Sequence, residues 1–334
     1  MMKKTILVTG GAGYIGSHTV VELLNKNYEV ILVDNFSNSK MDILGRISQI
    51  SPQKELKVYK RDCCRDLSDV FSENKIDGII HFAALKSVGE SCEVPLRYYN
   101  NNILSLTNIL ETAERFGVKN FVFSSSCSLY GNLKELPAKE DSPMSDPESP
   151  YAYTKLVGER IIKDFSLVSN IKSICLRYFN PVGAHMSGLI GECPLNKPNN
   201  IIPVILNSTE TGEEITVFGD DYDTTDGTCI RDYVHVSDIA DAHVLAIEYL
   251  FNSLKKFDVY NLGYGNGVSV LEVIKSFETE NNLKLNYKIG NRRNGDVVKI
   301  YSNSSKAIND LGWNTKHDLS DMVKSAWNWH KNKI

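Results

Sequence analysis

The stretch that most restricts what this chain can fold into is Thr9-Gly10-Gly11-Ala12-Gly13-Tyr14-Ile15-Gly16. An apolar segment, Thr5–Thr9, runs into it, and a helical pattern over 14–26 begins on it. Gly10, Gly13 and Gly16 permit a tight turn and let backbone N–H groups approach a phosphate at a helix N-terminus. Strand, glycine turn and helix in that order predict the first unit of a parallel sheet with a dinucleotide at its edge. The Gly-x-x-Gly-x-x-Gly spacing is one residue wider than the commonest fingerprint, and an ordinary tight turn is the plain alternative. Asp34 ends the next strand, roughly twenty residues on, where a carboxylate accepts from ribose hydroxyls and repels a 2′-phosphate. No arginine follows Asp34-Asn35 at once, so NAD is expected rather than NADP.

The rhythm continues. Strands are expected over 29–33, 56–60, 78–82, 120–124 and 172–177, with long helices over 96–116 and 151–165. Apolar strands alternating with helices specify an α/β fold, a doubly wound parallel Rossmann-type sheet covered on both faces. After Asn180-Pro181-Val182-Gly183 the alternation breaks, and Gly, Pro and Asn gather over 186–203 as a loop or lid. Mixed elements follow, with strands near 214–218 and 259–261 and helices near 237–251, 269–281 and 319–329. Two domains are expected: 1–180, a nucleotide-binding domain carrying the catalytic residues, and 181–334, a smaller mixed α/β domain over the carboxyl edge of the sheet. Some segments of the second are expected to return to the first.

Composition narrows the function. A net charge of −4 over 334 residues, with no long basic tract, speaks against nucleic acid. No apolar run approaches the roughly 20 residues of a membrane helix. The N-terminal apolar run stops after about four residues at a Gly-Gly turn, short of a secretory signal. Seven cysteines form no Cys-x-x-Cys pair, which fits a reduced, cytoplasmic protein. The histidines form no metal-binding spacing, so no metal is expected. The acidic run 220–227 imitates a calcium loop, but its glycine comes one place late and no glutamate closes it.

Tyr151 and Lys155 stand four apart in Ser149-Pro150-Tyr151-Ala152-Tyr153-Thr154-Lys155, hence on one helix face. Tyr153 is two from the lysine and faces elsewhere. A phenol is a poor base at its reference pKa of about 10, and a nearby ammonium is expected to lower it. The pair therefore predicts a proton-taking tyrosine beside the nucleotide. Asp62-Cys63 and Phe82-Ala83-Ala84 fall at strand carboxyl ends, where the two alanines leave room for a flat ligand. Asn101 could bond backbone or ligand. Ser124-Ser125-Ser126 ends a strand near Tyr151, and one of its hydroxyls could bridge the tyrosine to a substrate hydroxyl.

These stretches resemble the extended short-chain dehydrogenase/reductases, and over nearly the whole chain they are similar to the UDP-glucose 4-epimerase family. Further matching runs are His81-Phe82-Ala83-Ala84-Leu85-Lys86-Ser87-Val88-Gly89-Glu90-Ser91, Arg177-Tyr178-Phe179-Asn180-Pro181-Val182-Gly183-Ala184 and Arg231-Asp232-Tyr233-Val234-His235-Val236. The resemblance implies catalytic roles for Ser126, Tyr151 and Lys155. It implies NAD contacts at Tyr14, Ile15, Asp34, Asn35, Asp62, Cys63, Lys86, Asn101 and Phe179. It implies a grip on UDP-galactose or UDP-glucose by Asn180, Asn200, Arg231, Arg293 and Asp296. Two guanidinium groups suit a diphosphate, although alone each reads as a surface arginine. The implied reaction inverts C4 of the sugar through a 4-keto intermediate, in a homodimer joined through the helices over 96–116 and 151–165. Ile300 departs from many bacterial relatives, which carry tyrosine there, and leaves N-acetylated sugars open as substrates. Related dehydratases place Asp-Glu after the catalytic hydroxyl residue; Cys127 and Ser128 stand there instead. A dehydratase or decarboxylase, or a non-catalytic NAD sensor, is the alternative reading.

Overall fold

The computed structural model describes residues 3–333 except 53, 145–146, 196–197 and 294–295. Its first strands are β1 (Thr5–Thr9), β2 (Glu29–Asp34), β3 (Leu56–Lys60), β4 (Gly78–His81), β5 (Asn120–Ser124) and β6 (Lys172–Tyr178). They are followed by β7 (Asn180–Val182), β8 (Ile215–Phe218), β9 (Ile230–His235), β10 (Phe257–Leu262), β11 (Gly267–Ser269), β12 (Tyr287–Gly290) and β13 (Lys299–Ile300). Seven of them form one sheet in the order β10-β6-β5-β4-β1-β2-β3, parallel throughout. The order reverses between β1 and β4, and ligands bind at such a switch point in open α/β sheets.

The period-2 alternation along each strand feeds two cores. On one face Ile6, Val8, Val30, Leu32, Ile80, Val122 and Ile174 pack with Val20, Leu24, Ile239 and Ile247 of the helices Tyr14–Asn25 and Val236–Asn252. On the other, Leu7, Ile31, Val33, Ile79, Phe121 and Phe123 pack with Leu106, Ile109 and Ile162 of the helices Pro95–Arg115 and Pro150–Val168. Because β10 pairs with β6, the segment from Val236 to Leu262 lies with the central sheet. Outside it, β11, β9, β13 and β7 form a small mixed sheet, and β12 pairs with β8. No helix among the described residues is long and apolar enough to cross a membrane.

The expected elements of the first half recur within a few residues at each end. Among the later elements, β7, β11, β12, β13 and the helix Ser305–Leu311 were not expected, and two further differences have a clear local cause. The loop expected over 186–203 gives way at Ile201 to a helix, Ile201–Thr211, while residues 196–197 of that stretch lie outside the described residues. Pro203 sits in the first turn of that helix, where its missing N–H costs nothing. β9 was not expected, because charge interrupts Ile-Arg-Asp-Tyr-Val-His. The charge is absorbed locally: buried Asp232 accepts from Tyr264 N, Gly265 N and Ser302 N. The acidic run 220–227 is a capped turn, in which Asp226 Oδ1 accepts from Thr228 N at 2.9 Å.

Candidate active site

A cleft of about 290 Å³ opens at the carboxyl ends of β1 and β4. Gly10 has a φ of +70° and donates its N–H to Val33 O at 2.8 Å. A Cβ on Gly10 would lie 2.7 Å from Ala83 N, and one on Gly16 would lie 2.2 Å from Gly10 O. Only glycine fits at either position, and the absence of side chains there lets a ligand approach the start of the helix closely. Asp34 closes the far end of the cleft. Its carboxylate accepts from Ala12 N at 3.0 Å and Phe36 N at 2.8 Å. Burial raises the Asp34 carboxyl, and these bonds oppose the rise. Asp34 thus pins the glycine turn as well as facing the cleft.

Most residues expected at the cofactor line this one cleft: Gly10, Gly13, Tyr14, Ile15, Gly16, Asp34, Asn35, Asp62, Cys63, Phe82, Ala83, Ala84, Lys86, Asn101, Tyr151 and Lys155. Phe179 does not. It is buried with Leu129, Tyr130, Ala138 and Ile300. β6 ends at Tyr178, which takes the cleft-facing place, and the next side chain turns the other way. Tyr178 is a lining residue given no role in the sequence reading, and its hydroxyl lies 2.7 Å from that of Ser124, the one serine of the Ser124-Ser125-Ser126 run that lines the cleft.

The helix Pro150–Val168 starts on Ser149, whose Oγ accepts from Ala152 N at 3.2 Å, with Pro150 next. That start sets Tyr151 in the first turn and Lys155 one turn on, both buried against the sheet. Tyr153 is exposed. Lys155 Nζ donates to Ser124 O at 2.6 Å and stands 5.9 Å from the Tyr151 ring centre. Ser126 lies within reach of the Tyr151 hydroxyl and accepts from Ser128 Oγ at 2.9 Å. The expected lowering of the tyrosine is overturned: burial pushes its phenol well above the ordinary value, Tyr178 adds to that, and only Ser126 acts against it. Lys155 spends its donor on Ser124 O while the phenol is stripped of water. Burial also brings the ammonium of Lys155 down to about 8, opposed by Cys175 and Glu159. His81, at 2.7 Å from Thr9 Oγ1, is lowered to about 3 by burial and so is neutral.

Behind the serines lies a network absent from the sequence reading. Glu159 accepts from Ser125 Oγ at 2.5 Å and from Arg177 Nε and Nη2 at 2.9 and 2.6 Å. Arg177 Nη1 donates to Tyr130 OH at 2.8 Å, and Tyr130 OH to Asn261 Oδ1 at 2.6 Å. Glu159 is four residues beyond Lys155, so the i, i+4 spacing was its available signal.

The residues expected at the sugar nucleotide lie on the smaller sheet and its loops. Arg231 on β9 and Ile300 on β13 are register partners. Asp296 Oδ1 is 3.6 Å from Arg231 Nη2 and 2.7 Å from Arg293 Nη2, so one carboxylate joins both arginines. Arg293 also stands 5.5 Å from the ring centre of exposed Phe218, an aromatic surface the motifs missed. Ile300 is buried beside Tyr130 and Phe179. Asn180 begins β7 opposite Tyr233. Asn200 is exposed before the helix Ile201–Thr211, and its side chain does not cap it.

A model of the NAD dependent epimerase/dehydratase family matches residues 6–263. A UDP-glucose 4-epimerase of Bacillus subtilis (strain 168) is 46% identical over 333 residues, spanning 98% of this chain and 97% of its own. The crystal structure of a UDP-glucose-4-epimerase from Stenotrophomonas maltophila, with bound NAD and formylated UDP-arabinopyranose, superposes with a TM-score of 0.96 at 41% identity, covering 99% of this chain and 98% of that one. The Bifidobacterium longum UDP-glucose 4-epimerase in complex with NAD+ and UDP gives 0.94 at 45% identity, covering 98% of each chain.

Proposed function

The chain belongs to the NAD dependent epimerase/dehydratase family, and from that premise we propose that it interconverts UDP-galactose and UDP-glucose by inverting C4 of the hexose. The observation that carries the reading is buried Tyr151, one helical turn from buried Lys155 and beside Ser126, in the glycine-lined cleft. The residues present fit NAD. The bare Gly10–Gly16 turn suits its pyrophosphate, Asp34 suits its adenosine ribose, and Ala83 and Ala84 leave space for its flat rings. When bound, NAD supplies the hydride acceptor and then the hydride donor for C4.

Tyr151, as phenolate, takes the proton of the 4-hydroxyl, and Ser126 carries the hydrogen bond between them. The raised phenol means that Tyr151 needs positive charge nearby to ionise; Lys155 supplies one, and the nicotinamide ring of NAD+ would add another. The resulting 4-keto sugar turns about its bond to the diphosphate, and Tyr151 returns the proton on the other face. Arg231 and Arg293 hold the diphosphate meanwhile, Asp296 aligns them, and Phe218 offers its ring to the base. Asn180 and Asn200 complete the grip. Dehydration would need a carboxylic acid beside the hydroxyl residue, and Cys127 and Ser128 follow Ser126. The division of labour is between 1–180 with the returning 236–262 segment, which serves cofactor and proton transfer, and the rest, which serves the sugar nucleotide.

Three finer points belong to this reading. Ile300 is smaller than tyrosine, so N-acetylated UDP-hexosamines are substrates too; no turnover of UDP-N-acetylgalactosamine removes that extension. The exposed Leu96, Leu104 and Tyr153 on the helices Pro95–Arg115 and Pro150–Val168 form the homodimer face. The enzyme works in the cytoplasm, and its seven cysteines are free thiols. The test is incubation of the purified chain with UDP-galactose and no added NAD: UDP-glucose forms. No product even with added NAD+ overturns the assignment.

A further inference from the structure

Residues 183–194 leave β7 and reach the cofactor cleft at Gly191, Glu192, Cys193 and Pro194. They fold on themselves through an Ala184–Gly191 bridge and a His185 N to Ile190 O bond of 3.0 Å. The helix Leu319–Lys333 backs them. Ser325 Oγ accepts from Ala184 N at 3.2 Å, and Trp329 Nε1 donates to Glu192 O at 3.1 Å. The contact leaves no slack: a Cβ on Gly188 would stand 2.6 Å from Asn328 Nδ2, and one on Gly191 would stand 2.5 Å from the Trp329 ring. Ser325, Asn328 and Trp329 form one helix face. From the glycine-turn side, Tyr14 OH donates to Gly183 O at 2.5 Å. Arg46 donates to Leu189 O at 3.3 Å and lies 5.0 Å from the Trp329 ring centre.

Glu192 joins these parts. Its carbonyl is held by the C-terminal helix, and its carboxylate meets Lys86 Nζ, beyond β4, at 3.1 Å. The Glu192 side chain is 14% exposed and that of Lys86 is 51% exposed, so the strap side is fixed and the lysine side free to part. Lys86 and Glu192 both line the cleft that holds Gly10 and Tyr14. We propose that Glu192 is a latch that retains NAD, a positioning residue that ties the strap 183–194 to Lys86 over the bound nucleotide. The inference rests on the NAD-dependent reading above and adds the device that keeps the cofactor bound between turnovers.

The test follows release of bound NAD, without sugar nucleotide, into buffer where an NAD-consuming enzyme traps what is freed. Glu192→Gln removes the ion pair and keeps the backbone. Release should quicken about threefold, as for a half-exposed pair. Trp329→Phe keeps an aromatic side chain, though a smaller one, and removes the N–H, and release should quicken about fivefold. The unfolding midpoint of each nucleotide-free variant should stay within about 2 °C of wild type, which a merely structural role would not allow. Wild-type release rates in both variants overturn the latch, and so do quickened release with a larger fall in midpoint for both or slower release by Glu192→Gln. The last result would show Glu192 competing with phosphate for Lys86. If the unaltered chain holds no NAD, the functional reading itself fails, and that outcome is separate.

Discussion

Around Tyr151 the side chains are buried and paired with one another, whereas the cluster around Asp296 is only half enclosed: Arg231 and Asp296 are largely buried and Arg293 reaches into solvent. The Glu159–Arg177 pair is 3–6% exposed and bidentate. Arg293 is 51% exposed and shares one carboxylate with Arg231. The difference matches what each end must do. In the proposed reaction the proton-taking group has to hold one position while hydride and proton leave and return. The sugar has to turn round, so its tether needs charge complementarity with room to move. Rigidity at one end comes from desolvation and fixed hydrogen bonds; tolerance at the other comes from the half-exposed Arg293 side chain.

The sharpest way to break this comparison is Tyr151→Phe. Turnover of UDP-galactose should fall about 10³-fold, the range of general acid–base catalysis, while bound NAD and the circular dichroism spectrum persist. Glu159→Gln tests the rigid end. It strands the buried Arg177 charge, and denaturant unfolding should show a loss of about 3–5 kcal/mol. Adding Arg177→Met should recover much of that loss. At the open end, Arg293→Ala should raise KM for UDP-galactose about tenfold, with kcat and stability little changed. An equal fall in kcat would mean that Arg293 acts in the chemical step.

A separate test is the dependence of stability on pH. His18, His81 and His235 are lowered to about 3 and His243 to about 4, each first by burial. Below their ordinary value of about 6.5, the unfolded chain binds protons that the folded chain refuses. Stability is therefore fully present above about 6.5 and is lost as pH falls toward 3, at up to about 1.4 kcal/mol per pH unit for each histidine. Urea midpoints at pH 7 and pH 5.5 check this, and equal midpoints would refute it.

Local sequence made much of the sheet readable. Thr5–Thr9, Leu56–Lys60 and Asn120–Ser124 were legible to the residue because apolar β-branched runs ended at glycine or polar breaks. The cleft was legible too, since its glycines, Asp34, Ala83 and Tyr151 sit at strand ends or in the first turn of a helix. What stayed hidden depended on distant partners. β9 is a strand because backbone donors from Tyr264, Gly265 and Ser302 satisfy Asp232, more than thirty residues from the first of them. The direction of the Tyr151 shift was missed because a spacing shows that Lys155 is near but not that burial outweighs it.

The sequence by itself determined the alternating elements, the glycine turn and the four-residue spacing of Tyr151 and Lys155. Those follow from short-range sterics and periodicity. Only the tertiary structure decided that Tyr178 faces the cleft and Phe179 does not, that Glu159 and Arg177 brace the serines, and that Glu192 meets Lys86 across 106 residues. Burial and charge pairing depend on which distant groups the fold brings within a few ångströms, and no local pattern carries that information.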